Sequence, residues 1–166
     1  MRPANAEDLS RIIEIYNATI SSRMATADTE AVTVESRREW FETHSQQRPI
    51  FVEDMDGHVV AWVSFESFYG RPAYHLTAEI SIYVDGKYRS RGLGSRLLDE
   101  AVSLCPSLGL KKLVAYIFAH NRSSLALFEK HGFATWGLLP EVAEMDGELY
   151  SLSILGLDLS AKNTGG

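Results

Sequence analysis

Hydrophobic and polar positions repeat with a helical period in two stretches near the start of the chain. In the first stretch the apolar residues that share one helix face are Leu9, Ile12, Ile13 and Tyr16. Asn5 stands before them, where an N-cap is expected. A second helix is expected to begin at Thr33 and to carry Trp40 and Phe41. These two stretches predict helices that each place an apolar face on a core.

Short apolar runs bounded by turn residues predict the strands of a sheet. The Asp56-Gly57 pair between two such runs indicates a hairpin, because this pair accepts the positive φ angles of a tight turn. The expected strands are 50–53, 59–65, 79–84, 113–118, 134–138 and 150–157. Helices alternate with them, which predicts a single α/β domain over residues 1–160, with a mixed sheet and helices on both faces. The polar, glycine-ended segment 161–166 is expected to be a disordered tail.

Composition narrows the functional classes. A chain of 166 residues with 45% hydrophobic residues is long enough for one packed core, and no apolar run approaches membrane-spanning length. The start lacks a basic and then apolar leader pattern, so the cytoplasm is the expected location. A net charge of −6 argues against nucleic-acid binding. The histidines show no metal-ligand spacing, so no metal is expected, and the single cysteine, Cys105, is interpreted as a packing residue.

A glycine-rich turn joins the strand 79–84 to the following helix. Gly92 and Gly94 stand at the expected start of that helix, beside Arg89 and Arg91. Glycine lets the backbone approach a ligand, and the first N–H groups of a helix lack intrahelical partners. The helix dipole and the two guanidinium groups favour an anion at the same place. The turn therefore predicts a binding site for a pyrophosphate.

The spacing within this turn separates three classes of phosphate-binding loop. A P-loop needs Lys and then Ser or Thr directly after its last glycine, but Ser95 and Arg96 follow Gly94. A dinucleotide fingerprint needs a third small residue where the chain has Leu97. The remaining pattern, Arg-x-x-Gly-x-Gly over 89–94, resembles the coenzyme A pyrophosphate loop of the Gcn5-related N-acetyltransferases (GNAT).

A second block of sequence supports the same resemblance. Asn121 is a candidate N-cap for a helix, and Gly132 stands where a C′ glycine is expected. The segment 121–133 is similar to the GNAT block whose Asn and helix line the pantetheine arm. Further similarities, at 15–17, 40–41, 68–74 and 77–84, are closest to the phosphinothricin and methionine sulfoximine N-acetyltransferases. The resemblance implies a mixed, mostly antiparallel sheet splayed at its central strand, and a homodimer.

The resemblance also implies an activity and a set of site residues. Acetyl-CoA is expected to donate its acetyl group to the amine of a small amino acid analogue, with Glu79 as the candidate general base. The alternative for Glu79 is a structural ion pair with an arginine on a neighbouring strand. A backbone N–H at or near Ile82 is the expected donor to the oxyanion. The implied acetyl-CoA contacts are Ile82, Tyr83, Val84, Arg89, Ser90, Arg91, Gly92, Leu93, Gly94, Ser95, Asn121 and Ser124.

The acceptor contacts are expected in an aromatic loop upstream of Glu79. Arg71 and Tyr74 lie in this loop, and a guanidinium matches a carboxylate or phosphinate with two parallel hydrogen bonds. The alternative is a solvated arginine in a loop whose aromatic residues pack on the core. The aromatic loop and the late strand near Tyr150 are also the expected contributors to a two-fold interface.

Two departures from the family pattern keep other interpretations open. Phe128 stands where many members carry a Tyr that protonates the leaving thiolate, so the thiolate leaves unaided or is served by Tyr150 or a water. The segment 146–151 does not match the Gly-(Arg/Gly)-Trp-x-Asp stretch that the branch often shows there, since its Trp and final Asp are absent, and this weakens the prediction of the named substrate. One alternative is a GNAT enzyme that acts on a protein N-terminus, a polyamine or an aminoglycoside. Another is a non-catalytic module that binds acyl-CoA.

Overall fold

The computed structural model describes residues 1–160, so the expected tail at 161–166 lies outside the described residues. The strands are β1 Arg2–Pro3, β2 Ile50–Met55, β3 His58–Ser67, β4 Thr77–Val84, β5 Lys112–Phe118, β6 Ala134–Met145 and β7 Glu148–Asp158. The helices are α1 Leu9–Ile20, α2 Val34–Glu42, α3 Leu93–Leu104 and α4 Arg122–Lys130. Short 3-10 turns at Ala6–Asp8, Pro72–Tyr74 and Gly86–Tyr88 connect some of these elements.

The seven strands form one mixed sheet that opens at its centre. Its order is β1-β2-β3-β4-β5-β7-β6, and among the strand pairs of residues 1–160 only β4–β5 is parallel. Pairing of β4 with β5 stops at Glu79 opposite Val114, whereas pairing of β4 with β3 continues to Val84. Beyond Glu79 the two central strands therefore separate, which confirms the expected splayed α/β sheet.

Each face of the sheet packs against one pair of helices. On one face, Val63, Phe65 and Ile80 share a core with Leu97 of α3 and Phe128 of α4. On the opposite face, a second core joins α1 and α2 to the sheet through Ile12, Ile15, Val52, Trp62 and Trp40. Successive strand residues point to opposite faces, so both cores draw on β3. The predicted helices on both faces are confirmed.

Local signals explain where several elements begin and turn. Asp56 and Gly57 have φ angles of 53° and 78°, as the hairpin between β2 and β3 requires. Thr33 caps α2 with its side chain, as expected. Asn5 is an N-cap, as predicted, but it caps the 3-10 turn Ala6–Asp8 that leads into α1 and not α1 itself.

The strand β6 is much longer than the sequence pattern predicts, and β7 exceeds its predicted range by a few residues. They form a hairpin around a turn in which Asp146 and Gly147 have φ angles of 55° and 81°. The register of β6 shifts between Thr135 and Gly137 and again between Leu139 and Ala143. Such bulges break the period of two by which a strand is recognised, so the pattern shows only the first part of β6. Within residues 1–160, no helix has the length and apolar character needed to cross a membrane.

Candidate active site

A pocket lies on the α1 and α2 face of the central strands. Alternation along β4 places Glu79, Ser81 and Tyr83 on this face, where Trp62, Ser64 and Glu66 of β3 stand opposite them. Ile13 and Tyr16 of α1 and Arg37 and Trp40 of α2 complete the lining of a volume of about 150 Å³. We call this volume the acceptor pocket. It places carboxylates, a guanidinium and aromatic rings around one small space.

Glu79 is a carboxylic acid of this pocket whose pKa is strongly raised. Burial, and secondarily the negative charge of Glu66, raise the pKa of Glu79 to about 7. Within residues 1–160, no ion pair or hydrogen bond involves the Glu79 carboxyl group, so the expected alternative of a structural pair with an arginine is wrong. A carboxyl group with a pKa near the working pH is well matched to accept a proton in catalysis.

A second opening follows the gap between β4 and β5. It is lined by the separated parts of both strands and by Asn121, Ser124 and Phe128 of the α4 region. The α1–α2 connection crosses it, because Tyr83 Oη donates to the Ala25 carbonyl at 3.3 Å and Asn121 Nδ2 donates to the Met24 carbonyl at 3.1 Å. Tyr83 and Ser81 line both this gap and the acceptor pocket, so the two spaces adjoin at β4.

The gap continues into a groove of about 530 Å³ around the glycine-rich turn. We call the gap and this groove together the acetyl-CoA cleft, after the ligand that the sequence predicts for them. Gly92 precedes α3 with a φ angle of 75°, a conformation that favours glycine, and a Cβ built there meets only open space. The turn thus brings the first N–H groups of α3 to an open volume, the arrangement that suits a pyrophosphate. Every expected acetyl-CoA residue except Arg91 lines the groove.

The two arginines of the turn differ in position. Arg89 Nε donates to the Val84 carbonyl at 3.2 Å, and Arg89 lines the groove. Arg91 instead places its guanidinium 5.6 Å from the centroid of the Tyr88 ring and stands outside the lining. The expected charge next to the turn is present, and Arg89 is the closer of the two to the groove.

A hydrogen-bond chain behind the turn escaped the sequence analysis. Ser95 Oγ lies 2.8 Å from His131 Nε2, and His131 Nδ1 lies 2.8 Å from Asp99 Oδ1. These hydrogen bonds link α3 to the C-terminal end of α4, and both helices form walls of the cleft. No local pattern predicts it, because His131 is 32 residues from Asp99 and 36 from Ser95.

The expected acceptor residues Arg71 and Tyr74 lie outside the acceptor pocket. Arg71 is exposed ahead of the 3-10 turn Pro72–Tyr74, and Tyr74 is 44% exposed, with its ring 5.3 Å from that of Phe68. The guanidinium in the pocket lining is that of Arg37, which sequence reasoning missed. Arg37 Nη2 pairs with Asp28 Oδ2 at 2.7 Å, and the Arg37 guanidinium lies 5.7 Å from the Tyr16 ring centroid.

Three other expected residues are also placed by the structure. Phe128 is buried in the core. The Tyr150 ring packs 4.5 Å from that of His120 and lines neither the pocket nor the cleft, so its position does not support it as the acid. Cys105 is buried, donates to the Ala101 carbonyl at 3.3 Å and has its pKa raised to about 12 by burial, in agreement with a packing role. Across residues 1–160, no group of three or more His, Cys, Asp or Glu residues is arranged to hold a metal ion.

Comparisons with known proteins place this geometry in one family. The model of the acetyltransferase (GNAT) family matches residues 11–133. The chain is 58% identical to the Bacillus subtilis protein YwnH, provisionally named a phosphinothricin acetyltransferase, over 96% of this chain and 99% of that protein. It is 31% identical to the L-methionine sulfoximine/L-methionine sulfone acetyltransferase of Pseudomonas aeruginosa, over 96% and 94% of the two chains.

A solved structure extends the likeness to a complex with the acetyl donor. The phosphinothricin acetyltransferase of Sinorhizobium meliloti, crystallised with acetyl-CoA, superposes with a TM-score of 0.88 at 30% identity. The match covers 95% of this chain and 86% of that one.

Proposed function

We propose, from the premise that the chain belongs to the GNAT family, that it acetylates the amine of a small amino acid analogue of the phosphinothricin or methionine sulfoximine type. The chain is an acetyl-CoA-dependent N-acetyltransferase. The names of its relatives support this class of acceptor. The observation that carries the proposal is the position of Glu79, a carboxyl group with a pKa of about 7 where the acceptor pocket meets the acetyl-CoA cleft.

In the proposed reaction Glu79 is the general base. The amine of an amino acid is mostly an ammonium ion at neutral pH, and only the neutral amine attacks. Glu79 accepts the proton directly or through a water: an N–H bond of the acceptor breaks, and an O–H bond forms on the carboxyl group. The freed electron pair then forms the new bond to the thioester carbonyl carbon.

The backbone of β4 serves the next step. Beyond Glu79 this strand has no β5 partner, so its edge faces the cleft in which the thioester lies. In the proposal, an N–H at or near Ile82 donates to the oxyanion of the tetrahedral intermediate. After the attack the nitrogen carries a positive charge and loses a second proton to water, and collapse of the intermediate then breaks the carbon–sulfur bond and leaves the amide. Phe128 has no proton to give, and a thiol has a pKa of about 8.5, so the sulfur leaves as a thiolate that water protonates.

The acceptor's own anionic group needs a cation. The sequence indicates Arg71, but this residue is exposed outside the acceptor pocket, whereas Arg37 lies in the pocket lining. The hydrogen bond from Arg37 to Asp28 uses Nη2, and within residues 1–160 no hydrogen bond involves its Nε or Nη1. The second N–H of Nη2, together with that of Nε or Nη1, can form two parallel bonds to a carboxylate or phosphinate.

The proposed enzyme is a homodimer. The β6–β7 hairpin exposes large apolar side chains, with Leu138 at 55%, Val142 at 58% and Leu149 at 56%. A patch of this kind on a single chain marks an interaction surface, and two-fold contacts are the commonest solution. Light scattering at micromolar concentration should report a dimer, and Val142→Asp should shift it toward the monomer. A wild-type monomer would contradict the dimer and leave the catalytic proposal intact.

An acceptor screen tests the proposed function directly. The purified protein is incubated with acetyl-CoA and one amine at a time, and release of the CoA thiol is followed. L-methionine sulfoximine, L-methionine sulfone and phosphinothricin should turn over fastest. Rapid turnover of spermidine, an aminoglycoside or a peptide N-terminus, with none of these analogues acetylated, would replace the proposed acceptor with the alternative one.

A further inference from the structure

Two carboxylates face each other across the central strands of the acceptor pocket. Glu66 of β3 is the direct cross-strand partner of Glu79 on β4, and both line the pocket. Side chains at such positions have Cβ atoms about 4.5–5.5 Å apart, and like charges placed there repel each other. A pair of this kind inside a pocket is best stabilised by a cation between the two groups.

The structure fixes the position of Glu66. Trp40 Nε1 donates to Glu66 Oε1 at 2.5 Å, and the Trp40 ring packs edge-on against Trp62 at 5.7 Å. His44 Nε2 lies 4.0 Å from the same oxygen, is buried, and has no hydrogen-bond partner within residues 1–160. No hydrogen bond in residues 1–160 involves Glu66 Oε2. One oxygen of Glu66 is therefore anchored, and the other remains for a ligand.

The cations around the pair do not neutralise it. Arg37 lines the pocket but forms an ion pair with Asp28. His44 lies beside Glu66, with its Nε2 atom 4.0 Å from Glu66 Oε1, and this nitrogen forms no hydrogen bond within residues 1–160. The remaining titratable groups that face Glu79 are phenols, which are neutral near pH 7: Tyr16 from α1, Tyr83 from β4 and Tyr116 from β5. The pair thus keeps a net negative charge that an incoming ammonium group can balance.

We propose that Glu66 is an acceptor-binding carboxylate, which holds the acceptor's ammonium group beside Glu79 and strengthens the hold of Glu79 on the proton that it removes. This inference rests on the proposed function and deepens it, because it identifies how the pocket recognises the amine. The ammonium ion donates to Glu66 Oε2 and to Glu79. Transfer of one proton to Glu79 leaves a neutral amine that is still hydrogen-bonded to Glu66.

The same arrangement orients an amino acid in the pocket. Its ammonium group lies between the two carboxylates, so its own carboxylate is repelled from them and faces Arg37. A neutral acceptor lacks the charge that the pair attracts. Glu66 is in this way a determinant of specificity for acceptors that arrive as cations at the reacting nitrogen.

The decisive variant is Glu66→Gln. The amide keeps an oxygen that accepts the Trp40 N–H, so the packing of α2 is preserved while the charge is removed. Carboxyl carbons are labelled with 13C, and the resonance of Glu79, assigned from its loss in Glu79→Gln, is titrated by NMR. The Glu79 midpoint should fall by about one pH unit when the neighbouring charge is lost. Glu7→Gln removes the same charge from an exposed residue that does not line the pocket, and the Glu79 midpoint in this variant should match that of the wild type.

Kinetics with the best acceptor of the screen provide the second arm. In Glu66→Gln the KM for the acceptor should rise about ten- to a hundredfold, because a charge-assisted contact is lost, while the Kd of acetyl-CoA stays unchanged. An unchanged Glu79 midpoint together with an unchanged acceptor KM would overturn the proposal. The proposed function would fail separately, if the wild-type protein acetylated no amino acid analogue or if Glu79→Gln remained fully active. Because the NMR titration needs no turnover, it tests the role of Glu66 independently of that outcome.

Discussion

The acetyl-CoA cleft and the acceptor pocket adjoin at β4, yet they are built in different ways. The cleft is made largely of backbone: the unpaired edge of β4, the turn at Gly92 and the first N–H groups of α3. The pocket is made of side chains that four elements contribute from distant parts of the chain. A backbone site suits one invariable ligand, whereas a side-chain site is readily altered by substitution. The difference explains why the donor is easier to predict than the acceptor.

Glu79 stands where the two regions meet, and its replacement should produce the largest effect. Glu79→Gln keeps the shape and hydrogen-bonding capacity of the side chain but does not accept a proton at neutral pH. We expect kcat to fall about 100- to 10,000-fold, with the Kd of acetyl-CoA nearly unchanged. Steady-state kinetics and calorimetric titration measure the two quantities. A matched loss of acetyl-CoA affinity would assign Glu79 to the cleft instead.

A backbone-built cleft should be most sensitive where the backbone itself is constrained. Gly92→Val should weaken acetyl-CoA binding about a hundredfold, because a β-branched residue is strained at a φ of 75° and its methyl groups enter the volume needed by the pyrophosphate. Arg89→Ala is the matched control at the same turn and should cost about tenfold, the value of one charge-assisted contact. Equal affinities in calorimetry for the wild type and Gly92→Val would contradict a backbone cradle.

A side-chain-built pocket should instead respond to individual side chains. Arg37→Ala should raise the KM of the amino acid acceptor about tenfold and leave that of acetyl-CoA unchanged, since Arg37 lies in the pocket lining. Arg37→Lys should restore only part of the affinity, because an ammonium lacks the planar two-point contact. Arg71→Ala is the matched comparison, with a smaller expected effect from its exposed position. A larger rise of the acceptor KM in Arg71→Ala than in Arg37→Ala would instead indicate that the aromatic loop contacts the acceptor.

The contrast between the regions also describes what could be predicted from sequence. Short-range signals were sufficient for the hairpin at Asp56-Gly57, the turn at Gly92 and the helix capped by Asn121, because each signal and its effect lie within a few residues. Together with the family resemblance they predicted the splayed sheet and the lining of the cleft. Contacts across the fold had no such signal.

The unpredicted parts all depend on tertiary placement. Glu66 and Arg37 reach the pocket from β3 and α2, and only the register of β3 on β4 sets Glu66 opposite Glu79. The link from His131 to Ser95 spans 36 residues. The sequence indicates Arg71 because its loop lies just upstream of Glu79, but this loop is exposed, and the chain lines the pocket only from β4 onward.

The raised pKa of Glu79 should also change the free energy of unfolding with pH, and this is the smallest effect of the series. Its pKa is raised from 4.5 to about 7 in the folded state, so the folded protein binds more protons than the unfolded chain between those pH values. The folded state therefore loses stability as the pH rises through this interval. Glu79→Gln should be more stable than the wild type by about 1–2 kcal/mol at pH 8 and no more stable at pH 4. Chemical unfolding at both pH values measures the difference.

The pH dependence of kcat/KM for the amino acid acceptor tests most directly whether Glu79 is the base that joins the two regions. For the wild type, kcat/KM should decline as the pH falls below about 7, because protonated Glu79 does not accept a proton. In Glu79→Gln this limb should be absent and the remaining activity low across the range. A Glu79→Gln variant that keeps wild-type activity and the same limb near pH 7 would contradict the account.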